Sequence, residues 1–373
     1  MRKPRLLRGP LGDDLLAALP GWLIARLAVG LGAVIAIVAS DELRPSNRPF
    51  QLHQGLFAWD AAWYRDIAEH GYDGVAHEGL RFFPLVPLVA RALSVPLLGN
   101  VGLALIILVN VAALASGVLL HRLVRDETND RALATRAAWL IALLPPAVVL
   151  VMGYAEAVAL ALVIGAFLSL RRKRWWTAAL LGVLAGLCRP TGVLLALPAL
   201  IEVARTWRGG RDRAGRVAAV LGAPFGTAIY LAWAEWQHGS WSVPLRLQNR
   251  TDLRGGWENP FSAIWGSVHS LFSSGGLADG LHVPWIGLFL LLLIVVFARW
   301  PASYGVFAAA VLLLALSAHN LGSFERYGLF AFPLILGLAT ITSDARVERA
   351  VLITCGAALV GFTTLVFLGA FVP

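Results

Sequence analysis

Stretches of about twenty apolar residues, separated by short polar and mostly basic connections, follow one another along almost the whole chain. A membrane-spanning helix needs about 20 mostly apolar residues. The pattern predicts helices near 17–40, 100–120, 137–152, 154–170, 175–188, 190–204, 217–237, 284–298, 302–318, 327–342 and 350–371. That is an all-α polytopic transmembrane bundle of about 11 spans, one integral membrane domain over 1–373 without a separate soluble part. Residues 82–98 are also apolar but contain Pro84, Pro87 and Pro96, and proline inside a helix costs about 3 kcal/mol. They are expected to lie in or dip into the interface without a full crossing. The pair over 175–204, interrupted by Arg189 and Pro190, is short enough to be a re-entrant hairpin. No internal repeat suggests the inverted halves of a transporter.

Composition agrees: 58% of residues are hydrophobic and 14% charged, against roughly 25% charged in soluble domains. The formal net charge of +9 would suggest nucleic acid as a partner of a soluble protein. Its distribution argues against that. Basic residues gather in short runs between apolar spans, from Arg2 to Arg8, Arg122 to Arg136, Arg171 to Arg174 and Arg205 to Arg216, with Arg346 and Arg349. Such runs mark cytoplasmic loops. Placing the N-terminus in the cytoplasm puts every run on that side, provided 82–98 does not cross. The first apolar span is too long for a cleaved signal peptide and reads as a retained helix.

Two long loops, 41–99 and 238–283, then fall on the non-cytoplasmic side, and long polar loops on a membrane scaffold usually carry the functional site. Cys188 and Cys355 match no metal or redox spacing and are expected to be two buried thiols without a disulfide. No Asp-x-Asp pair or carboxylate cluster in an outer loop is built to hold a divalent ion, so neither a metal nor another cofactor is expected. Lysine is scarce beside arginine, with only Lys3 and Lys173. This hints at a GC-rich bacterial genome and hence a cell membrane.

The first loop contains a segment, 57–70, with helical periodicity. Leu56, Trp59, Trp63 and Ile67 share one face, opposite Arg65 and Glu69, so an amphipathic helix is expected to lie at the interface with its aromatic face down. Asp60 and Tyr64 sit at the edge of that face. Partial dehydration there tends to raise a carboxylate's pKa and suits it to accept a proton. The plainer alternatives are that Asp60 is a helix N-cap and that Trp59 and Trp63 are interfacial anchors.

The longer string Phe57-Ala-Trp-Asp-Ala-Ala-Trp-Tyr-Arg-Asp-Ile-Ala-Glu-His-Gly-Tyr72 is followed by Phe-Phe-Pro-Leu-Val-Pro at 82–87, Cys-Arg-Pro-Thr-Gly at 188–192 and Phe-Glu-Arg-Tyr-Gly-Leu-Phe-Ala-Phe-Pro at 324–333. Together these resemble the PIG-V type mannosyltransferases of the membrane-embedded GT-C superfamily, which take sugars from lipid-phosphate donors. The resemblance implies a GT-C-like bundle and an inverting, polyprenyl-phosphate-mannose-dependent mannosyltransferase. On the bacterial reading the acceptor would be a cell-envelope glycolipid, lipoglycan or glycoprotein and not a GPI anchor, with membrane lipid around it. It implies that Asp60 activates the acceptor hydroxyl, with Trp59, Trp63 and Tyr64 beside the substrate.

A departing polyprenyl phosphate needs cations, and arginine suits phosphate through its planar fork. Arg326 is the first candidate, Arg189 the second because an intramembrane arginine is costly, and Arg81 and His319 lie within reach of the same surface. The alternatives are a snorkelling Arg326, an Arg189 paired structurally with Glu156 or Glu202, and a solvated His319 at a helix end. Trp241, Trp257 and Trp265 of loop 238–283 are expected either to line an acceptor groove or to anchor that loop to lipid. Two rival functions are a lipid or solute transporter and a noncatalytic lipid-binding subunit. The concentration of candidate groups at one surface favours an interfacial enzyme over the transporter.

Overall fold

The computed structural model describes residues 10–43, 49–207, 212–251, 253–270 and 282–370. The basic run from Arg2 to Arg8 and the 271–281 part of the second long loop lie outside the described residues. Those described are α-helical, and their only strand-like pairing is an isolated bridge between Trp257 and Ala318. In chain order the α-helices of seven residues or more are α1 (Pro10–Leu43), α2 (Asp60–His70), α3 (Leu85–Ser94), α4 (Val101–Thr128), α5 (Arg131–Leu143), α6 (Glu156–Arg171), α7 (Trp175–Cys188) and α8 (Ala196–Thr206). They continue as α9 (Arg213–His238), α10 (Pro260–Ser270), α11 (Val283–Arg299), α12 (Ala302–Leu316), α13 (Phe324–Phe330), α14 (Pro333–Ile341) and α15 (Ala345–Phe367).

Among the described residues, α1, α4, α9 and α15 are long and apolar enough to cross a bilayer, and α13 with α14 makes a fifth candidate bent by 81°. The protein is a membrane protein. The expected helix positions recur, but several are broken, so the count of eleven is not reached by length and composition. The helix expected over 137–152 stops at Leu143, because Pro145 and Pro146 pull Leu144 into an extended conformation; a 3-10 segment Pro145–Leu150 follows. The span expected over 327–342 is two helices, since Pro333 cannot continue α13 and instead opens α14. Helix α3 has ten residues, about 15 Å of rise. That is half the hydrocarbon thickness of about 30 Å.

Tight packing between α7 and α9 fixes where the 188–192 segment begins. Gly182 and Gly186 of α7 face Gly222 and Gly226 of α9. A Cβ on Gly186 would sit 2.2 Å from the Ala223 carbonyl oxygen, and one on Gly226 would sit 2.0 Å from that of Val183. The backbones are in contact, as in small-xxx-small packing between membrane helices.

The described residues of the basic runs gather at the end of the bundle where α1 begins and α4 ends. Asp14 is wholly buried and takes His121 Nδ1 at 2.7 Å, Arg125 at 2.9 Å and Arg122. Glu127 and Glu202 share Arg171, at 2.5 and 2.9 Å, and the hydroxyls of Tyr304 and Ser303 donate to the same two carboxylates. Arg136 of α5 pairs with Glu348 of α15 at 3.0 Å.

Candidate active site

The first long loop turns into α2 through a strained residue. Trp59 has φ +61° and ψ −130°, a region sparsely populated by residues with a side chain. Its indole Nε1 donates to the Val366 carbonyl of α15 at 3.2 Å. Asp60 is the first residue of α2, and no side chain caps this helix. The N-cap alternative for Asp60 therefore fails. Its backbone N–H donates to the Tyr154 hydroxyl at 3.3 Å, and its carboxylate turns to two arginines.

Those arginines come from distant breaks in the helices. Arg326 of α13 donates from Nη1 to Asp60 Oδ2 at 2.7 Å and from Nη2 to Ser323 at 3.2 Å. Arg81 ends a 3-10 turn (His77–Arg81), lies 3.5 Å from Asp60 Oδ1 and sits over the Phe82 ring. That turn is pinned from outside by the Tyr230 hydroxyl, which donates to the Leu80 carbonyl at 2.7 Å. Arg189 follows α7 in extended conformation, as the residue before Pro190 must. Its partner is Glu156, not Glu202.

Glu156, the first residue of α6, is buried at the centre of the group. Its Oε1 is within ion-pair reach of both Arg189 Nη1 and Arg326 Nε, the latter at 3.2 Å. These three atoms meet as charges without hydrogen-bond geometry. The cluster thus holds three guanidiniums, Arg81, Arg189 and Arg326, against two carboxylates, Asp60 and Glu156. Arginine side chains here are only 10–12% exposed, and the most accessible member is Asp60 at 26%.

The electrostatics of Asp60 differ from the sequence expectation. Burial does push its carboxyl upward, but the neighbouring charges of Arg326 and Arg81 outweigh that and hold it below the ordinary carboxylate value. The expected dehydration is present, and the arginines that reverse its effect come from parts of the chain far from the first loop.

The structure brings Asp60, Arg326, Arg189 and Arg81 together, but not His319. His319 is 71% exposed and pairs with Glu258 at 2.6 Å; among the described residues no contact joins it to the cluster. The face that α2 buries also differs from the one expected. Ala61, Tyr64, Ile67 and Ala68 pack inward, and Trp59 and Trp63 are half-buried against protein, with Trp63 stacked on Phe82 at 5.7 Å. Tyr64, expected at the edge, is buried edge-on against the same ring. Trp241, Trp257 and Trp265 are exposed.

Tyr154 had no place in the sequence reading, and Glu156 entered it only as a possible partner of Arg189. A usable signal was present: Tyr154 and Glu156 are the only polar side chains in a long apolar run, and an acid there is expensive unless it has a purpose.

Residues 46–203 match the sequence model of the family described as mannosyltransferase (PIG-V). The resemblance to that family is real. The matched residues include Asp60, Arg81, Glu156 and Arg189, four of the five charged residues of the cluster, and Arg326 lies beyond them. Among curated proteins, GPI alpha-1,6-mannosyltransferase 2 of Homo sapiens is 35% identical over 165 residues, covering 41% of this chain and 33% of that protein. The Rattus norvegicus protein of the same name is 36% identical over the same coverage. The match therefore spans about a third of these relatives' length. Among solved structures, the Archaeoglobus fulgidus oligosaccharyltransferase in complex with Zn and sulfate aligns over 91% of this chain and 52% of its own, with a TM-score of 0.45 and 12% identity. The archaeal oligosaccharyltransferase AglB from Archaeoglobus fulgidus, in complex with an inhibitory peptide and a dolichol-phosphate, gives a TM-score of 0.44 and 11% identity, over 92% of this chain and 56% of that one. Likenesses this loose carry no argument about this chain.

Proposed function

We propose that this protein is an inverting glycosyltransferase that moves mannose from a polyprenyl-phosphate donor to a glycolipid, lipoglycan or glycoprotein acceptor. The cluster would face the non-cytoplasmic side, with the N-terminus and the basic belt in the cytoplasm. The sugar is supported by the PIG-V match and by the relatives' names. The observation that carries the chemistry is the grip of Arg326 and Arg81 on Asp60 within a buried cluster that has one positive charge in excess.

A mannosyl polyprenyl phosphate is a phosphodiester with one negative charge, which fits that excess. On binding, its phosphate takes over the Arg326 hydrogen bond and the Arg81 ion pair that Asp60 holds in the free protein, and so releases the carboxylate. The acceptor oxygen then attacks the anomeric carbon, Asp60 takes its proton, and the bond from that carbon to the phosphate oxygen breaks. The leaving group is a stabilised anion, so no second carboxyl is needed to protonate it, unlike in hydrolysis of an alkyl glycoside. Trp59 and Trp63, half-buried and within one helical turn of Asp60 in sequence, would offer aromatic surface to the sugar.

The test is transfer of radiolabelled mannose from synthetic polyprenyl-phosphate-mannose to endogenous membrane acceptors, comparing wild type with an equally abundant, folded Asp60→Asn variant. Loss of at least about 100-fold is expected for removal of a general base. Equal transfer by the two proteins would remove Asp60 from the mechanism.

A further inference from the structure

Glu156 is buried, is the first residue of its helix and lies between two arginines, yet the proposed reaction gives it nothing to do. Its Oε1 faces Arg189 and Arg326, its side chain is 2% exposed, and Asp60 stands nearer to solvent at 26%. It is thus poorly placed to meet an acceptor hydroxyl. It opens α6, where the helix dipole and the free N–H groups of the first turn suit a carboxylate.

We propose that Glu156 is the residue that sets how much negative charge this site accepts, so that a phosphodiester monoanion is preferred over a phosphomonoester dianion. This inference rests on the function proposed above. Three buried guanidiniums less Glu156 and Asp60 leave one positive charge for the ligand to neutralise. The donor, a diester, supplies one. The lipid product is a monoester carrying about −1.5 to −2 at neutral pH.

The balance also follows the reaction. While Asp60 holds the acceptor's proton, the product's second charge replaces the one Asp60 has lost, and the site remains neutral. When Asp60 gives that proton to water, the site carries one negative charge too many and the monoester is released. Without Glu156 the same arithmetic favours the product, which would then be retained.

The experiment measures equilibrium binding of two probes to the purified full chain in nanodiscs, a short-chain prenyl-phosphate-mannose and the matching prenyl monophosphate. The pH is slightly alkaline so that the monoester is a dianion. Wild type is expected to prefer the diester. Glu156→Gln is expected to shift the ratio of affinities toward the monoester by about tenfold or more, the size of one unit charge acting a few Å away in a partly buried site. Arg189→Gln removes a charge of the opposite sign and is expected to shift the ratio the other way, while the double variant returns it to near the wild-type value.

A residue that merely shapes the pocket would weaken both probes together and predicts no reversal of sign. Ratios that do not move, or that move in the same direction in both single variants, overturn the proposal and leave the functional reading standing. If Glu156→Gln does not fold, Arg189→Gln decides alone by the direction of its shift. Wild-type protein that binds neither probe overturns the donor-phosphate reading itself, and this inference with it.

Discussion

Two groups of charges in the described residues, one at the end where α1 begins and one around Asp60, are buried in opposite senses. At the end where α1 begins, the acids are sequestered and most of the arginines reach water: Asp14 is 0% exposed beneath Arg122 and Arg125 at 22% and 31%, and Glu202 is 6% exposed beside Arg205 at 53%. Long arginine stems cover the carboxylates while their heads remain hydrated, so surplus positive charge there is neutralised by solvent. At the Asp60 cluster the three arginines are buried and a carboxylate is the most accessible group. Surplus positive charge has no such outlet, and an unbalanced buried charge is costly. The first arrangement fastens helices together. The second leaves an opening for an anion.

The strongest test of this contrast is to remove the central acid of the fastening cluster. Asp14→Ala leaves the buried His121 and two arginines without their shared partner and is expected to cost about 3 kcal/mol of stability, the lower end for breaking a buried ion pair. It would be read as a lowered unfolding midpoint in detergent, with transfer activity per folded molecule unchanged within about twofold. Arg326→Ala is expected to do the reverse. Asp60 still has Arg81 and Glu156 still has Arg189, so the unfolding midpoint moves less than for Asp14→Ala. Mannose transfer falls about 100-fold, as expected when a donor to developing phosphate charge is lost. If each variant impaired both properties equally, the two clusters would not differ in kind.

The part of this contrast that was legible in the sequence is the part written locally. The apolar periods place nearly every helix, and the string from Phe57 to Tyr72 points to Asp60. The helix breaks were harder, because the pull of Pro145 and Pro333 competes with hydrophobic stretches that read as continuous. The pairing of charges was least legible. Arg326 and Asp60 are 266 positions apart, and Glu156 gains its meaning only when α6, α7 and α13 bring their ends together. The direction of the shift at Asp60 went wrong for the same reason: local burial could be read from the first loop, whereas the arginines that outweigh it could not.

That shift gives a third test. A carboxyl whose pKa is depressed on folding adds stability that is fully present above its unfolded value of about 3.9 and is lost as pH falls through the lower folded value. The stability difference between wild type and Asp60→Asn should therefore shrink as the solution is acidified below the ordinary carboxylate range. A difference that stays constant or grows would mean the ion pairs with Arg326 and Arg81 do not govern Asp60. In kinetics, kcat/KM reports the free enzyme, so Asp60 should produce no acid limb between neutral pH and about pH 5.

The smallest effect is expected at His319, which sequence proximity to Arg326 suggests as a phosphate ligand. The turn that carries it is joined by backbone to the second long loop: Glu258 N donates to the Ser317 carbonyl at 3.0 Å, and Asn320 N to the Arg254 carbonyl at 3.1 Å. Gly255, with φ +73°, fits closely against the His319 ring. An exposed pair such as His319 with Glu258 typically contributes 0–1 kcal/mol, and these backbone bonds survive loss of the imidazole. His319→Ala is expected to keep transfer within about twofold of wild type and to leave the apparent KM for the donor unchanged. A tenfold rise in that KM would instead extend the anion site from the buried arginines to the surface of loop 238–283, and the separation between a solvated pair and a ligand-ready cluster would fail at that point.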